Sequence, residues 1–352
     1  MASVSTNTIT QGTKTLKLSG NPLENEKTTL IKQLSDKIEN TKHGDWRDDL
    51  LKDGYVVVKN AISKEKAQDY QNQIFDWLRS FNKGWKLDDE STWNDNHLPD
   101  HHWNNIYSKH STCHEKFFWD IRLDPGFKDK FAKLWGTNEL LVSFDAINIA
   151  FPTRDASIEP KFWPHVDQSP FRTGLSCVQG IANLSEAGEK DGGLVVYKDS
   201  HKLLENFFKE VYGEENWESK DNVQISKDQL QWFLDNGAEK VKVIAEPGDL
   251  ILWDSRTIHY GSGPEYDSNN IRTIAYISYS PANFATEENL IKKRQAFEKW
   301  HGTTHWAHDN INTRNLPAYL PNGELDPYQR TEPNVKPELT KELLQLAGVV
   351  PY

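Results

Sequence analysis

From Leu30 to Leu51 polar and apolar residues recur at helical spacing, and DGYVVVKNAIS (53–63) then reads as a short β-branched strand. Ser63 is placed to cap the next helix, KEKAQDYQNQIFDWLRSF, in which Ala67, Tyr70, Ile74, Trp77 and Leu78 fall near one face. Residues 1–25 have no period and read as a flexible tail. A longer aperiodic stretch, 82–116, holds Trp85, Trp93 and Trp103 with His97, His101, His102, His110 and His114. Such aromatic density argues against disorder; the stretch either packs its rings inside or forms a lid, and a lid is expected. After a helical piece at 126–136 the period changes to two. ELLVSFDAINIAF, GLSCVQGIANLS, GGLVVYKDS, VKVIAEPGDLILWDS and IRTIAYISYSP are short apolar runs separated by Gly, Pro and Asp. They predict a mainly β fold with flanking helices, an antiparallel sandwich or barrel rather than a parallel sheet. Residues 26–285 read as one domain and 286–352 as an extension packing on it.

Composition narrows the partners. The 352 residues carry 41 Lys+Arg against 52 Asp+Glu, a net charge of −11, which disfavours nucleic acid and anionic membranes as partners. No stretch approaches the roughly 18 apolar residues of a membrane span, and the N-terminus lacks a signal-peptide core. With only Cys113 and Cys177 there is no disulfide framework, so a cytoplasmic protein is expected. The 13 Trp, 12 Tyr and 15 Phe allow a sizeable core in an otherwise polar chain.

The common nucleotide-binding, zinc-peptidase and hydrolase signatures are absent, which leaves the histidines. In FWPHVDQSP, His165 and Asp167 lie two apart, so on an extended segment both point to one side. A second HxD, His43-Gly44-Asp45, sits in a polar approach to the first strand and reads as solvated surface. The first copy opens the β-rich half. Downstream, PGDLILWDSRTIHYGSGP supplies His259 after a turn-and-strand unit, and Arg272 follows thirteen residues later. Two His and one carboxylate form a facial triad that suits non-haem Fe(II), with positions left for a bidentate co-substrate and O2. Arg272 is then placed to fork the far carboxylate of a dicarboxylate, or to pair with Asp249 or Asp254. His301, His305 and His308 have zinc-like spacing but no fourth ligand, and read as surface or lid histidines.

Over roughly residues 45–285 these motifs together resemble the phytanoyl-CoA dioxygenase family of Fe(II)/2-oxoglutarate-dependent oxygenases. DGYVVVKNAIS matches its opening strand and helix, PHVD its metal motif, and DGGLVVYKDSHK its Gly-strand-SH element; PGDLILWDSRTIHYGSGP with Arg272 matches the second half of the site. The resemblance implies a double-stranded β-helix, a cupin-like jelly-roll barrel. It also implies Fe(II) held by His165, Asp167 and His259, and 2-oxoglutarate held by Arg272 with Asn148 nearby. The chain departs from relatives in a longer His-to-Arg spacing and in Gly261 where a hydroxyl is usual, leaving open whether Ser262 replaces it. In related halogenases a small residue replaces the carboxylate ligand, so Asp167 argues against halogenation. Arg172 and Arg122 are each placed either to anchor a substrate carboxylate or to form structural ion pairs. The expected substrate is a small molecule, an amino acid or a specialised metabolite of the kind fungal relatives act on. The alternatives are a cupin-type metalloprotein without 2-oxoglutarate and an oxygenase on an acyl-CoA or a macromolecule. Neither of the last two finds a basic cluster here.

Overall fold

Alternating side chains give each strand two burial duties, and the protein meets them with two facing antiparallel sheets. The computed structural model describes residues 21–154 and 162–352, so residues 1–20 of the expected tail lie outside the described residues. The strands are β1 (Tyr55–Val58), β2 (Ile106–Tyr107), β3 (Leu140–Val142), β4 (Ile147–Ala150), β5 (His165–Val166) and β6 (Val178–Asn183). They continue as β7 (Gly193–Lys198), β8 (Val223–Gln224), β9 (Glu239–Lys242), β10 (Leu250–Asp254), β11 (His259–Ser262) and β12 (Arg272–Pro281). One sheet runs β1-β10-β6-β12-β4-β2, with β3 also on β12; the other runs β8-β5-β11-β7-β9. This is the jelly-roll arrangement with flanking helices.

The helices are α1 (Thr28–Glu39), α2 (Trp46–Asp53), α3 (Lys64–Arg79), α4 (Lys116–Leu123), α5 (Pro125–Trp135), α6 (Ser200–Phe207), α7 (Lys227–Asp235), α8 (Glu287–Glu298) and α9 (Lys341–Leu346). Ser63 caps α3 as expected, accepting from the Lys66 amide at 3.2 Å, and the apolar face from Ala67 to Leu78 is buried. In α5, Asp124 caps the start, Pro125 occupies the first turn and Gly136 ends the helix at φ +70°, where only glycine is unstrained.

Three apolar layers result. Helices α3, α4 and α5 cover the outside of the larger sheet through Ile74, Phe118, Phe127 and Phe131, the last 4.6 Å from the Tyr279 ring. Helices α6 and α7 cover the smaller sheet, where Val195, Tyr197 and Tyr260 meet Leu204, Phe207 and Phe233. Between the sheets lie Ile181, Leu194, Val196, Ile251, Trp253 and Ile274. Because Tyr260 fills the outer layer, its neighbour His259 must face the space between the sheets.

Segment 82–116 is largely irregular but anchored. Trp85 and Trp93 pack on Phe151 (6.2 and 5.6 Å), and β2 within it pairs with β4. Residues 286–352 share the main core through Leu343, Leu346 and Ala347 rather than forming a separate one. Cys113 and Cys177 are buried free thiols. Among the described residues no helix is long and apolar enough to cross a membrane.

Candidate metal centre

His165 and His259 are backbone partners across β5 and β11. Opposed residues of an antiparallel pair hold their Cβ atoms about 4.5–5.5 Å apart on one face. The imidazoles therefore arrive together, with ring centroids 4.4 Å apart. Each Nδ1 donates to a carbonyl two residues back, His165 to Trp163 at 3.1 Å and His259 to Thr257 at 2.9 Å, which leaves each Nε2 as the free lone pair. Both Nε2 atoms face Asp167, at 3.6 Å from Oδ1 for His165 and 3.2 Å from Oδ2 for His259. One ligand atom from each residue lies within 4.8 Å of the others, and all three side chains are buried. Burial pushes Asp167 upward, but the charges of His305 and His165, and the hydrogen bond each ring's Nε2 donates whenever that ring is protonated, outweigh it and hold the carboxyl well below its ordinary range; in the neutral rings the same Nε2 atoms are lone pairs open to a metal. Burial pushes His165 down, yet Asp167 pulls it above its ordinary value, while burial and His165 lower His259. Two aligned nitrogen lone pairs and an ionised oxygen, dry and convergent, fit a divalent first-row metal on three adjacent corners.

The carboxylate is held from behind. Gln179 donates to Asp167 Oδ2 at 2.8 Å and Asn222 to Oδ1 at 3.2 Å. Trp163 stacks on His165 at 4.6 Å and 12°, and Trp103 from the 82–116 segment meets Trp163 edge-on at 5.7 Å. Sequence reasoning missed Gln179, Asn222 and Trp163. Gln179 alone left a sign, an amide at an inward position of the apolar run GLSCVQGIANLS. Replacing Gln179 with leucine should lower metal affinity about 10–100-fold, as loss of outer support for a ligand does. Chelator competition measures this, and an unchanged affinity would mean that Asp167 needs no such support.

Arg272, the first residue of β12, is 5% exposed. Its Nη1 donates to Asn148 Oδ1 at 3.3 Å, Nε has no partner, and no carboxylate among the described residues forms an ion pair with it. Asp249 pairs instead with Lys59 (2.8 Å) and Asp254 with Arg256 (2.6 Å), so neither alternative partner is available. Asn148 in turn donates to the Asn104 carbonyl at 2.7 Å, tying this end to the 82–116 segment. Lys242, which sequence reasoning did not single out, adds a second cation: burial and the Arg272 charge push it down to about 8. Its Nζ donates to Ser262 Oγ at 2.8 Å and the Asp191 carbonyl at 2.6 Å. A Cβ at Gly193 would stand 3.0 Å from Lys242 Cε, so the glycine makes room for this side chain. A hydroxyl is thus present at this end of β11, from Ser262.

The other candidates take structural places. Arg172 is spent on Asp221 (2.7 Å) and Asp309 (2.9 Å) over the Trp306 ring, so it is an ion-pair clamp and has no fork left for a substrate. It fixes Asp221 beside Asn222, and Arg172→Leu should cost about 3–5 kcal/mol of stability, the price of stranding buried charges. A fall in Tm with an unchanged requirement for co-substrate checks this; unchanged Tm contradicts it. Arg122 is 0% exposed, stacked on Phe118 at 3.8 Å and donating to the Cys113 carbonyl, which puts it in the core rather than over a ligand. The histidines at 301, 305 and 308 do not converge on a metal site, and His308 is no surface residue: it is buried, with Nδ1 2.9 Å from Ser280 Oγ. In the other HxD, Asp45 caps α2 and pairs with Arg47. A cavity of about 610 Å³ lined by Glu39, Phe171, Arg172, His201, Phe208 and Arg256 touches no triad residue, and both its arginines are already paired.

A family model for phytanoyl-CoA dioxygenase (PhyH) matches residues 50–272. The "Ava biosynthesis cluster protein O" of Aspergillus versicolor is 42% identical over 272 residues, covering 76% of this chain and 87% of its own. Among solved structures, the epimerase SnoN in complex with Fe3+, alpha ketoglutarate and nogalamycin RO is similar at TM-score 0.44 and 15% identity, over 72% of this chain and 84% of that one. EctD from S. alaskensis with 2-oxoglutarate and 5-hydroxyectoine is similar at TM-score 0.45 and 17% identity, over 68% and 76%. The family match spans more than half of the sequence: this chain belongs to the phytanoyl-CoA dioxygenase family of Fe(II)/2-oxoglutarate-dependent oxygenases.

Proposed function

We propose that the protein oxidises an unactivated C–H bond of a small metabolite, with His165, Asp167 and His259 holding the iron and Arg272 receiving the far carboxylate of 2-oxoglutarate. The observation that carries this reading is the buried Arg272 guanidinium, without a carboxylate partner among the described residues, on the strand facing a buried His-Asp-His cluster. A desolvated cation is costly unless an anion completes it, and a dicarboxylate chelating a metal at its keto acid end supplies one. A cupin-type protein that uses no keto acid has no task for this arginine.

Bound iron, with 2-oxoglutarate and O2, supplies the oxidising power, and the co-substrate leaves as succinate and CO2. The chain's own contribution is placement. Asn148 steadies Arg272, while Gln179 and Asn222 keep both oxygens of Asp167 oriented toward the histidines. Trp163 stacks on His165 and Trp103 packs edge-on against Trp163, walling the His165 side, and segment 82–116 serves as the lid. Where the substrate C–H is held decides between hydroxylation and outcomes such as ring closure. Kinship with a protein named for a fungal biosynthesis cluster supports a specialised metabolite as substrate, and two unlinked thiols accord with the cytoplasm. Succinate release from 2-oxoglutarate, scored across a metabolite library with Fe(II) present, tests the reading. Release that rises with particular metabolites is expected; none with any of them, above a metal-free control, would overturn it.

A further inference from the structure

Behind the proposed iron site a chain of hydrogen bonds runs from Asp167 to the C-terminal extension. β8 pairs antiparallel with β5, Gln224 against His165 and Val223 against Val166, and the same register continued by one step sets Asn222 opposite Asp167. Asn222 donates to Asp167 Oδ1 at 3.2 Å, while Gln224 donates to Asn222 Oδ1 at 2.9 Å and fixes which way that amide faces. The preceding residue, Asp221, is 7% exposed and reaches the other side of the ligand loop: the amide of Ser169, two residues past Asp167, donates to Asp221 Oδ1 at 2.9 Å. Asp221 thus ties the backbone that carries the metal carboxylate to the segment whose amide orients it.

Asp221 is itself immobilised. A carboxylate offers about four lone-pair sites, and here donors fill them. Besides the Ser169 amide, Arg172 donates Nε to Oδ1 and Nη2 to Oδ2, both at 2.7 Å, and Asn310 donates to Oδ2 at 3.2 Å. The extension grips Arg172 in turn: Nη1 donates to Asp309 Oδ2 at 2.9 Å, and the guanidinium lies 4.2 Å from the Trp306 ring centre. Asn289, in the first turn of α8, donates to Asp309 Oδ1 at 2.9 Å. A buried polar network whose members are satisfied in this way holds one geometry.

We propose that Asp221 is a positioning residue of the metal centre, and that the C-terminal extension, through Asp309 and Asn310, helps set how tightly the metal is held. A carboxylate already fixed in its binding orientation loses less freedom on coordination, so the groups that fix it tune affinity although they touch no metal. Residues 286–352 then complete the oxygenase site as well as its apolar core. This assignment rests on the metal-centre reading of His165, Asp167 and His259.

The test compares the full chain carrying Asp221→Asn or Asp309→Asn with wild type, reading Mn(II) affinity by chelator competition without O2, with Leu343→Ala as control. Leu343 is a fully buried residue of the extension outside the network, so its truncation should lower Tm and leave Mn(II) affinity unchanged. Asp221→Asn presents an amide nitrogen where the Arg172 fork needs an oxygen, and Mn(II) affinity should fall about tenfold or more. Asp309→Asn keeps the Arg172–Asp221 fork, so the chain folds and the loss is smaller but in the same direction. Co(II) bound in place of iron reports ligand geometry through its visible bands, which should change in Asp221→Asn and match wild type in Leu343→Ala. Wild-type Mn(II) affinity in either network variant overturns the proposal. So does a loss in Leu343→Ala equal to that in Asp309→Asn, which would make the effect one of general stability. Should Asp221→Asn fail to fold, Asp309→Asn against Leu343→Ala decides alone. A wild type that holds no Mn(II) would instead strike the metal-centre reading itself, so the two failures are distinguishable.

Discussion

Replacing His165 with alanine is expected to abolish iron retention and succinate formation while the fold persists. The residue is one of three ligand groups on which the proposed centre depends, and its strand partner His259 with Asp167 would leave a two-donor site. Alanine at one strand position removes an imidazole without removing a ladder hydrogen bond, so the sheet survives. Metal content after gel filtration and turnover with 2-oxoglutarate measure the effect; full activity in the variant would remove the triad assignment. The metal-free protein offers a second reading. Because Asp167 raises His165 above its ordinary value, the pair stabilises the folded chain most when His165 is protonated, and this contribution fades as pH rises through the folded value. The alanine variant should therefore lose more stability, relative to metal-free wild type, at about pH 5 than at about pH 8.

Replacing Arg272 with leucine should leave iron bound and raise the requirement for 2-oxoglutarate. Loss of one side of a buried, hydrogen-bonded charge pair costs about 2–4 kcal/mol, roughly thirty- to a thousandfold in affinity. The position makes the experiment clean, since among the described residues Arg272 forms no ion pair whose loss would strand another charge and gives up its hydrogen bond to Asn148. An unchanged KM for 2-oxoglutarate would move the clamp elsewhere, with Lys242 the next cation in line.

The sequence carried the triad because its logic is local in two pieces. His165 and Asp167 share a side by strand alternation, and His259 follows a recognisable turn-and-strand unit. That β5 and β11 would set the two histidines opposite each other is a matter of sheet register, which no single segment contains. The two-sheet fold was legible for the same reason: the change of period after Trp135 is strong, and turn residues separate the runs. Arginines were the hardest to place. Arg122 and Arg172 have the same local appearance as a ligand anchor, yet one lies inside an aromatic cluster and the other is gripped by two acids 49 and 137 residues away. Gln179, Asn222 and Lys242 were invisible because amides and lysines are common, and only tertiary structure aims them.

Visible absorption of the protein with Fe(II) and 2-oxoglutarate, kept free of O2, tests the account most directly because it sees iron and keto acid at one site without needing the substrate. A weak charge-transfer band that saturates with 2-oxoglutarate, is absent in His165→Ala and needs far more 2-oxoglutarate in Arg272→Leu is the predicted result. A protein that holds Fe(II) yet shows no band at any 2-oxoglutarate concentration would contradict it.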